Sequence, residues 1–169
     1  TISQMKELIV QNNNHPCIVV WGLSNEITMT GASDPDLIEN HRILNDMVHE
    51  MDKTRLTTMA CVSMCDIHDP YVQIPDVVSF NHYFGWYGGE VSMNGPWFDK
   101  FHAEFPDKPI GMSEYGCEAL NWHTSHPEAG DYTEEYQAYY HEELIKQLYT
   151  RPYILSLIHI SEPTRPISI

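Results

Sequence analysis

Two glutamates stand at positions where an α/β fold usually places its chemistry. Glu26 follows an apolar run at residues 17–23, and Glu114 follows a second run at residues 109–113. If both runs are parallel strands of one barrel, their carboxyl ends meet at the same mouth. Two carboxylates at one cleft can cleave a glycosidic bond, because one protonates the leaving oxygen and the other attacks the anomeric carbon or activates water. Taken alone, either residue is equally well explained as an exposed glutamate that starts a loop.

Aromatic side chains near these runs offer flat faces on which a sugar ring can stack. The segment after residue 81 is rich in Tyr, Trp and Gly, and it contains Tyr83, Trp86 and Tyr87, while Trp122 follows the second glutamate. Aromatic residues belong to the core in most chains, so packing is the alternative explanation for each of them.

The net charge limits the partners of the chain. It has 169 residues, with 9 Lys and Arg against 24 Asp and Glu, which gives a formal charge of -15. Such a balance argues against binding to nucleic acid or to an anionic membrane surface and favours a neutral or weakly charged ligand. No run is long enough to span a bilayer. Because the chain opens on a helical pattern without Met, we expect it to be the interior of a longer protein.

Cysteine and histidine patterns give no strong metal motif. We predict buried free thiols in a reducing compartment, with Cys17 in a core strand; the location of the protein stays open, with the cytoplasm favoured. The pair Cys61 and Cys65 lacks a second pair at zinc spacing, and the spacing of His123 and His126 is too loose to indicate a metal. No metal site is predicted.

Helices and strands alternate along the chain. We predict strands at residues 17–23, 56–62, 77–81 and 109–113. Asp34 is the expected N-cap of one helix, and Thr133 is the expected N-cap of the last helix. The first of these helices has one buried stripe, made of Leu37, Leu44, Met47, Val48 and Met51. Alternation of this kind predicts an α/β fold with parallel strands. The strand count is too low for a closed eight-stranded barrel, so a half-barrel or an open sheet is expected.

Three motifs are similar to one enzyme family. Residues 14–26, with the sequence NHPCIVVWGLSNE, resemble the acid/base strand of glycoside hydrolase family 2, which includes β-galactosidases and β-glucuronidases. Residues 81–87 (NHYFGWY) and 112–116 (MSEYG) resemble two further segments of that family, in the same order. Together the matches cover residues 1 to about 154 and are far more specific than any one of them.

The resemblance implies a fold and a set of roles. The fold is a partial (β/α)8 TIM barrel that covers roughly strands 4 to 7 with their helices. Glu26 would be the general acid/base and Glu114 the nucleophile of a retaining mechanism, with their carboxyl groups about 5–5.5 Å apart. Asn25 would bind the sugar 2-hydroxyl, and Tyr83 would hydrogen-bond or tune the nucleophile.

The same resemblance bears on the substrate. Asn81, His82 and Trp122 are further candidates for sugar contacts. His82 stands where glucuronidases of the family often carry Arg, which favours a neutral sugar, and residues 117–123 are more similar to β-galactosidases. We therefore predict retaining hydrolysis of terminal β-galactosides through a covalent glycosyl-enzyme intermediate. A β-glucuronidase, a β-mannosidase and a non-catalytic carbohydrate-binding fragment remain open, and the fragment alone is expected to be inactive.

The two ends of the chain depart from the family pattern. Gly22 stands where the family usually has Ser. Residues 155–169 resemble translated sequencing-adapter read-through, so we predict a partial barrel domain at residues 1–154 and a non-native tail at 155–169, with a genuine strand at 154–160 as the alternative. Some family members bind magnesium near the acid/base glutamate through ligands that would lie before Thr1, so no cofactor is predicted in this chain. A homo-oligomer of the full-length protein stays open.

Overall fold

Helices and parallel strands alternate along the chain, as predicted. The computed structural model describes residues 1–29, 34–120, 122–123 and 132–157. The helices are α1 (Ile2–Asn12), α2 (Pro35–Met51), α3 (Asn94–Glu104) and α4 (Glu134–Tyr149). The strands are β1 (Val20–Asn25), β2 (Leu56–Val62), β3 (Val77–Asn81), β4 (Ile110–Glu114) and β5 (Ile154–Leu157). They form a sheet in the order β1-β2-β3-β4-β5, and β1 pairs with β2, and β4 with β5, in parallel. The chain divides into two compact units, Thr1–Phe80 and Asn81–Ile169.

The start of helix α2 is determined by local sequence. The Asp34 side chain accepts a hydrogen bond from the Leu37 amide at 2.7 Å, and a proline occupies the first helical turn. Both features were predicted, because a short acidic side chain satisfies an amide that the helix leaves without a partner. Leu44, Met47 and Val48 of the predicted stripe are buried, and His41 is buried beside them. Leu37 is half-buried, and Met51 is exposed because it is the last residue of the helix.

Strand β1 differs from its prediction in length and in burial. It begins at Val20 rather than at residue 17, and its residues alternate between buried and exposed instead of being buried on both faces. Cys17 is exposed, which contradicts its predicted place in the core, and Val19 is 75% exposed. The strand starts later than predicted because Arg55 binds the segment before it. The Arg55 guanidinium donates to the Ile18 carbonyl at 2.8 Å and to the carbonyls of residues 13 and 15. Those carbonyls bind a side chain instead of a neighbouring strand.

Strand β3 has the burial that was expected of β1. All five of its residues are buried, as are the first three residues of β4. Both strands lie inside the strand order, with a neighbour on each side. Continuous apolar runs are typical of such strands, because both faces of a parallel sheet are covered by packed elements while its neighbouring strands pair along the edges.

Helices α3 and α4 cover the second unit. Phe98 and Phe101 of α3 are buried, and α4 buries the four residues that were predicted for its core face: Tyr136, Tyr140, Leu144 and Leu148. The predicted N-cap is also confirmed, since the Thr133 hydroxyl accepts from the Tyr136 amide at 3.0 Å. Both helix starts thus follow from side-chain capping within a few residues of sequence.

The end of the chain contains a short strand. The sequence leaves two explanations for the end of the chain: a non-native tail, or a strand over residues 154–160. Strand β5 covers the first part of that segment. Residues 158–169 lie outside the described residues, so the boundary between domain and tail stays a prediction. None of the described helices is long and apolar enough to cross a membrane.

Candidate active site

Glu26 follows a β-bulge at the carboxyl end of strand β1. Between Gly22 and Asn25 strand β1 advances by three residues while β2 advances by two, from Thr58 to Ala60. One extra residue of this kind bends a strand and re-aims the side chains that follow, and such bulges are common at barrel rims and beside active sites. The bulge leaves Asn25 exposed and Glu26 half-buried. Both predicted catalytic-strand residues therefore lie at the accessible tip of the strand.

The backbone of Glu26 adopts a left-handed conformation. Its φ is +51°, and it is the single non-glycine residue with positive φ among the described residues. A residue other than glycine in this conformation is strained by about 1–3 kcal/mol, and such strain is concentrated at functional sites. Two backbone hydrogen bonds hold the conformation: the Glu26 amide donates to the Ala60 carbonyl at 2.9 Å, and the Met29 amide donates to the Glu26 carbonyl at 3.1 Å.

Side-chain hydrogen bonds hold strand β1 in place before it reaches Glu26. The Ser24 and Tyr71 hydroxyls lie 2.9 Å apart in a hydrogen bond, and Tyr71 is completely buried. Earlier in the strand, the Trp21 indole donates to Asp52 at 2.9 Å. Hydrogen bonds from Thr54, Arg55 and Trp21 hold the pKa of Asp52 well below its usual range. The strand is thus tied to a carboxylate that stays ionised at neutral pH.

Glu114 ends strand β4 and contacts the predicted tyrosine. The Tyr83 hydroxyl donates to Glu114 Oε2 at 2.7 Å, and both side chains are half-buried. The Glu114 carbonyl accepts a hydrogen bond from the His82 amide at 2.8 Å, so the backbone of the residue before Tyr83 is held next to the backbone of Glu114. This short contact brings together two residues that the sequence separates by a helix and a strand.

Asn81 and His82 support this pair from inside the unit. Asn81 is buried, and its Oδ1 accepts from the Ser113 hydroxyl at 2.6 Å. His82 is 0% exposed and stacks on Phe98, with ring centroids 4.7 Å apart. Burial lowers the pKa of His82 to about 3, and a hydrogen bond with Asn94 offsets part of that shift. A sugar cannot reach an enclosed ring, so we assign His82 to packing instead of the predicted sugar contact.

The candidate aromatic platforms fall into two groups. Trp86 is buried and meets Tyr132 edge to face at 4.8 Å, so it packs the loop rather than presenting a face. Tyr87 and Trp122 are each 75% exposed, and their faces remain accessible to a ligand. His126 lies outside the described residues.

The structure brings together the predicted residues of each unit but does not test every role. Tyr83, Asn81 and Glu114 are connected in the second unit, and Asn25 and Glu26 are adjacent in the first. The separation of about 5–5.5 Å between the two carboxyl groups stays a prediction. Within the described ranges no three His, Cys, Asp or Glu side chains lie close enough to hold a metal ion.

Three features of the site were missed at the sequence level. The left-handed backbone of Glu26 has no sequence signal, because the residue is not a glycine. The bulge before it starts at Gly22, and a glycine inside a predicted strand is the one signal that could have indicated it. The hydrogen bond between Ser24 and Tyr71 joins residues far apart in sequence, and a lone tyrosine before a predicted strand does not reveal it.

Comparison with known proteins identifies similar domains. The model of the TIM barrel domain of glycosyl hydrolases family 2 matches residues 1–155. A β-glucuronidase of Bacteroides fragilis is 33% identical in an alignment 157 residues long, which covers 89% of this chain and 22% of that protein. The crystal structure of an FMN-binding β-glucuronidase from Faecalibacterium prausnitzii L2-6 is 50% identical, with a TM-score of 0.89 over 94% of this chain and 25% of that one.

A further solved structure is a complex. Bacteroides uniformis β-glucuronidase 2, covalently bound to cyclophellitol-6-carboxylate aziridine, is 31% identical, with a TM-score of 0.82 over 92% of this chain and 20% of that one. The chain therefore spans between a fifth and a quarter of the length of these proteins.

Proposed function

Because the chain belongs to glycosyl hydrolases family 2 and forms part of the TIM barrel domain of that family, we propose that it supplies both catalytic carboxylates of a retaining β-glucuronidase. The observation that carries the proposal is the contact between the Tyr83 hydroxyl and Glu114 at the carboxyl end of strand β4. A carboxylate held by a phenol at the end of a barrel strand is oriented for attack on a substrate at the barrel mouth.

The choice of sugar changes from the one predicted. The sequence favoured a β-galactoside, partly because His82 occupies a position where glucuronidases of the family often have Arg. Since the His82 ring is enclosed by aromatic side chains, its identity carries no information about the sugar. The names of the similar proteins favour a β-glucuronide, which was the stated alternative, over a β-galactoside. We therefore propose a terminal β-glucuronide as the substrate.

In the first step of the proposed mechanism the Glu114 carboxylate attacks the anomeric carbon. The bond to the aglycone breaks as the ester to Glu114 forms, and Glu26 gives its proton to the leaving oxygen. Asn25, next to Glu26, is proposed to bind the 2-hydroxyl. Exposure of Asn25 at the strand tip is consistent with that contact.

In the second step Glu26 takes a proton from water while the water oxygen attacks the anomeric carbon. The ester to Glu114 breaks, and the Glu114 oxygens recover a full negative charge. Tyr83 donates to that carboxylate at 2.7 Å, so it stabilises the leaving group of this step. The same hydrogen bond stabilises the reactant carboxylate of the first step, so we expect Tyr83 to assist hydrolysis of the intermediate more than its formation.

A substrate panel tests the proposed function. We would measure kcat/KM of a full-length protein that contains this chain on the 4-nitrophenyl β-glycosides of glucuronic acid, galactose and mannose. We expect the glucuronide to be preferred and Glu114→Gln to abolish its hydrolysis. The matched control is Glu118→Gln, an exposed carboxyl shortly after the nucleophile, which should retain activity.

The other outcomes of the panel are informative. Preference for the galactoside or the mannoside would replace the proposed sugar while leaving the two carboxylates in place. Sugar binding without turnover would favour the non-catalytic carbohydrate-binding module. Full activity of Glu114→Gln would contradict the nucleophile assignment. The cytoplasmic location and the oligomeric state of the full-length protein stay predictions.

A further inference from the structure

A tyrosine hydroxyl of helix α4 forms a hydrogen bond with the backbone of the loop that carries Tyr83. The Tyr136 hydroxyl donates a hydrogen bond to the Gly85 carbonyl, two residues after Tyr83. Tyr136 is buried, and burial raises the pKa of its phenol to about 12, so the hydroxyl keeps its proton and can donate at neutral pH. Gly85 has a φ of +94°, and a Cβ there would lie 2.3 Å from Val91 Cγ2. The loop therefore packs closely at the point where the helix holds it.

The next residue of the helix fastens the segment that follows the nucleophile. Gln137 Nε2 donates to the Cys117 carbonyl at 2.7 Å, three residues after Glu114. The Cys117 side chain is buried, so this segment is held both by its packing and by a hydrogen bond to its backbone. A second hydroxyl of the helix, that of Tyr140, donates to the His82 carbonyl at 3.4 Å.

Helix α4 is thus bonded to the backbone on both sides of the pair formed by Tyr83 and Glu114. We propose that Tyr136 and Gln137 are positioning residues that set the contact between the Tyr83 hydroxyl and the Glu114 carboxylate. This inference rests on the proposed function, because it gives that contact a role in turnover. Neither residue needs to touch the substrate, since each acts on a backbone carbonyl next to a catalytic segment.

The helix is suited to this role because it is capped and packed at that point. It has 16 residues, a capped first turn, and a buried face that includes Tyr136 itself. Catalytic groups keep productive geometry when packed elements and secondary hydrogen bonds hold them, and small displacements reduce the rate strongly. If the hydroxyl of Tyr136 is removed, the Gly85 loop loses its tie and the Tyr83 donor moves away from the departing carboxylate.

The inference predicts a specific kinetic signature. Tyr83 is expected to matter most when the ester to Glu114 breaks, so loosening its loop should slow hydrolysis of the intermediate more than its formation. The turnover number should fall while kcat/KM, which reports formation of the intermediate, changes little. A purely structural defect lowers the folded fraction instead and reduces both constants equally.

The test compares three single variants in a full-length protein that contains this chain: Tyr136→Phe, Gln137→Leu and Tyr139→Phe. Tyr139 is exposed on the same helix and serves as the control. With 4-nitrophenyl β-glucuronide we expect kcat of Tyr136→Phe and of Gln137→Leu to fall on the order of 10-fold, with a burst of nitrophenol before the steady state. Tyr139→Phe should behave as the wild type. Equal losses in kcat and kcat/KM, or a lowered Tm with unchanged kinetics, would overturn the inference.

A double variant tests whether Tyr136 acts through Tyr83. Once the Tyr83 hydroxyl is absent, its position no longer matters, so Tyr83→Phe with Tyr136→Phe should be no slower than Tyr83→Phe alone. Multiplied losses would overturn the inference. If Tyr136→Phe does not fold, the same cycle with the half-buried Gln137 replaces it.

The two proposals fail in different ways. An active wild type with inactive Glu114→Gln and unchanged Tyr136→Phe and Gln137→Leu variants would reject the positioning role alone. A wild type without activity on any glycoside would reject the proposed function and the positioning role with it.

Discussion

Replacing Tyr83 by Phe removes one hydroxyl and leaves the ring in place. In the structure that hydroxyl donates to Glu114 Oε2 at 2.7 Å, which is the length of a charge-assisted hydrogen bond. Hydrogen bonds to charged groups contribute about 1.5–3 kcal/mol, and the half-buried position of Tyr83 favours the lower part of that range. Because the carboxylate charge is only partly restored when the ester bond breaks, we expect the barrier of that step to rise by about 1–1.5 kcal/mol.

This change in barrier corresponds to a loss of roughly 5- to 13-fold in kcat. In the first step the Glu114 carboxylate loses its charge, so removal of a donor does not raise that barrier and kcat/KM should change by less than about threefold. The intermediate then accumulates, and the apparent KM falls together with kcat.

Stopped-flow measurement with 4-nitrophenyl β-glucuronide tests this prediction. The expected result for Tyr83→Phe is a burst of nitrophenol of about one equivalent per active site, together with a covalent adduct in the intact mass spectrum. Tyr149→Phe, which removes an exposed hydroxyl on helix α4, is the control. A fall in kcat/KM as large as the fall in kcat, with no burst, would refute the reasoning, because the hydrogen bond would then act on formation of the intermediate.

Three further predictions concern other parts of the chain. Glu26→Gln removes the proposed proton donor, so kcat/KM should fall about 10²–10⁴-fold for an alkyl glucuronide. The fall should be much smaller for 4-nitrophenyl glucuronide, because its leaving group needs no proton. Equal losses on the two substrates would contradict the acid/base assignment. Gly85→Ala places a Cβ 2.3 Å from Val91 Cγ2 at a φ of +94° and should destabilise by about 2–4 kcal/mol in calorimetry, whereas Gly22→Ala meets nothing within 4 Å and should cost less than about 1 kcal/mol. Burial lowers the pKa of His82 to about 3. In the unfolded state this histidine has a pKa of about 6.5, so between pH 6.5 and pH 3 the unfolded chain binds the proton and the folded chain does not. The free energy of unfolding should therefore decrease by about 2 kcal/mol from pH 7 to pH 5 through this group. In urea titrations His82→Phe should remove that part of the pH dependence, and identical slopes for the two proteins would contradict it.

Much of the fold could be predicted because its signals are local. The bounds of β2 and β3 agree with the apolar runs, and the starts of α2 and α4 follow from Asp34 and Thr133, whose side chains cap the helices within three residues. Side-chain capping and hydrophobic periodicity act over short distances, and one sequence therefore reveals them.

The start of β1 could not be predicted in this way. Arg55 binds the carbonyls of residues 13, 15 and 18 from across the unit, and it converts an apolar segment that reads as a strand into a loop. Such an interaction depends on which elements become neighbours in the folded chain. Hydrophobic patterning alone contains no information about it.

The candidate site shows the same limit. The consecutive residues Asn81, His82 and Tyr83 all fall in one recognisable motif, which suggested sugar contacts for Asn81 and His82 and a contact with the nucleophile for Tyr83. At the end of β3 the side chains diverge: Tyr83 reaches the Glu114 carboxylate, whereas the His82 ring enters the aromatic core. A motif identifies the segment, but the backbone at the strand end decides which side chain faces the substrate.

The central claim is that Glu114 is the nucleophile of a retaining β-glucuronidase. The most direct test is to treat a full-length protein that contains this chain with cyclophellitol-6-carboxylate aziridine and to map the labelled peptide by mass spectrometry. We expect one equivalent of label on Glu114, none in Glu114→Gln, and full labelling of the Glu118→Gln control. Label on another residue, or hydrolysis of glucuronides by a protein that this reagent does not label, would contradict it.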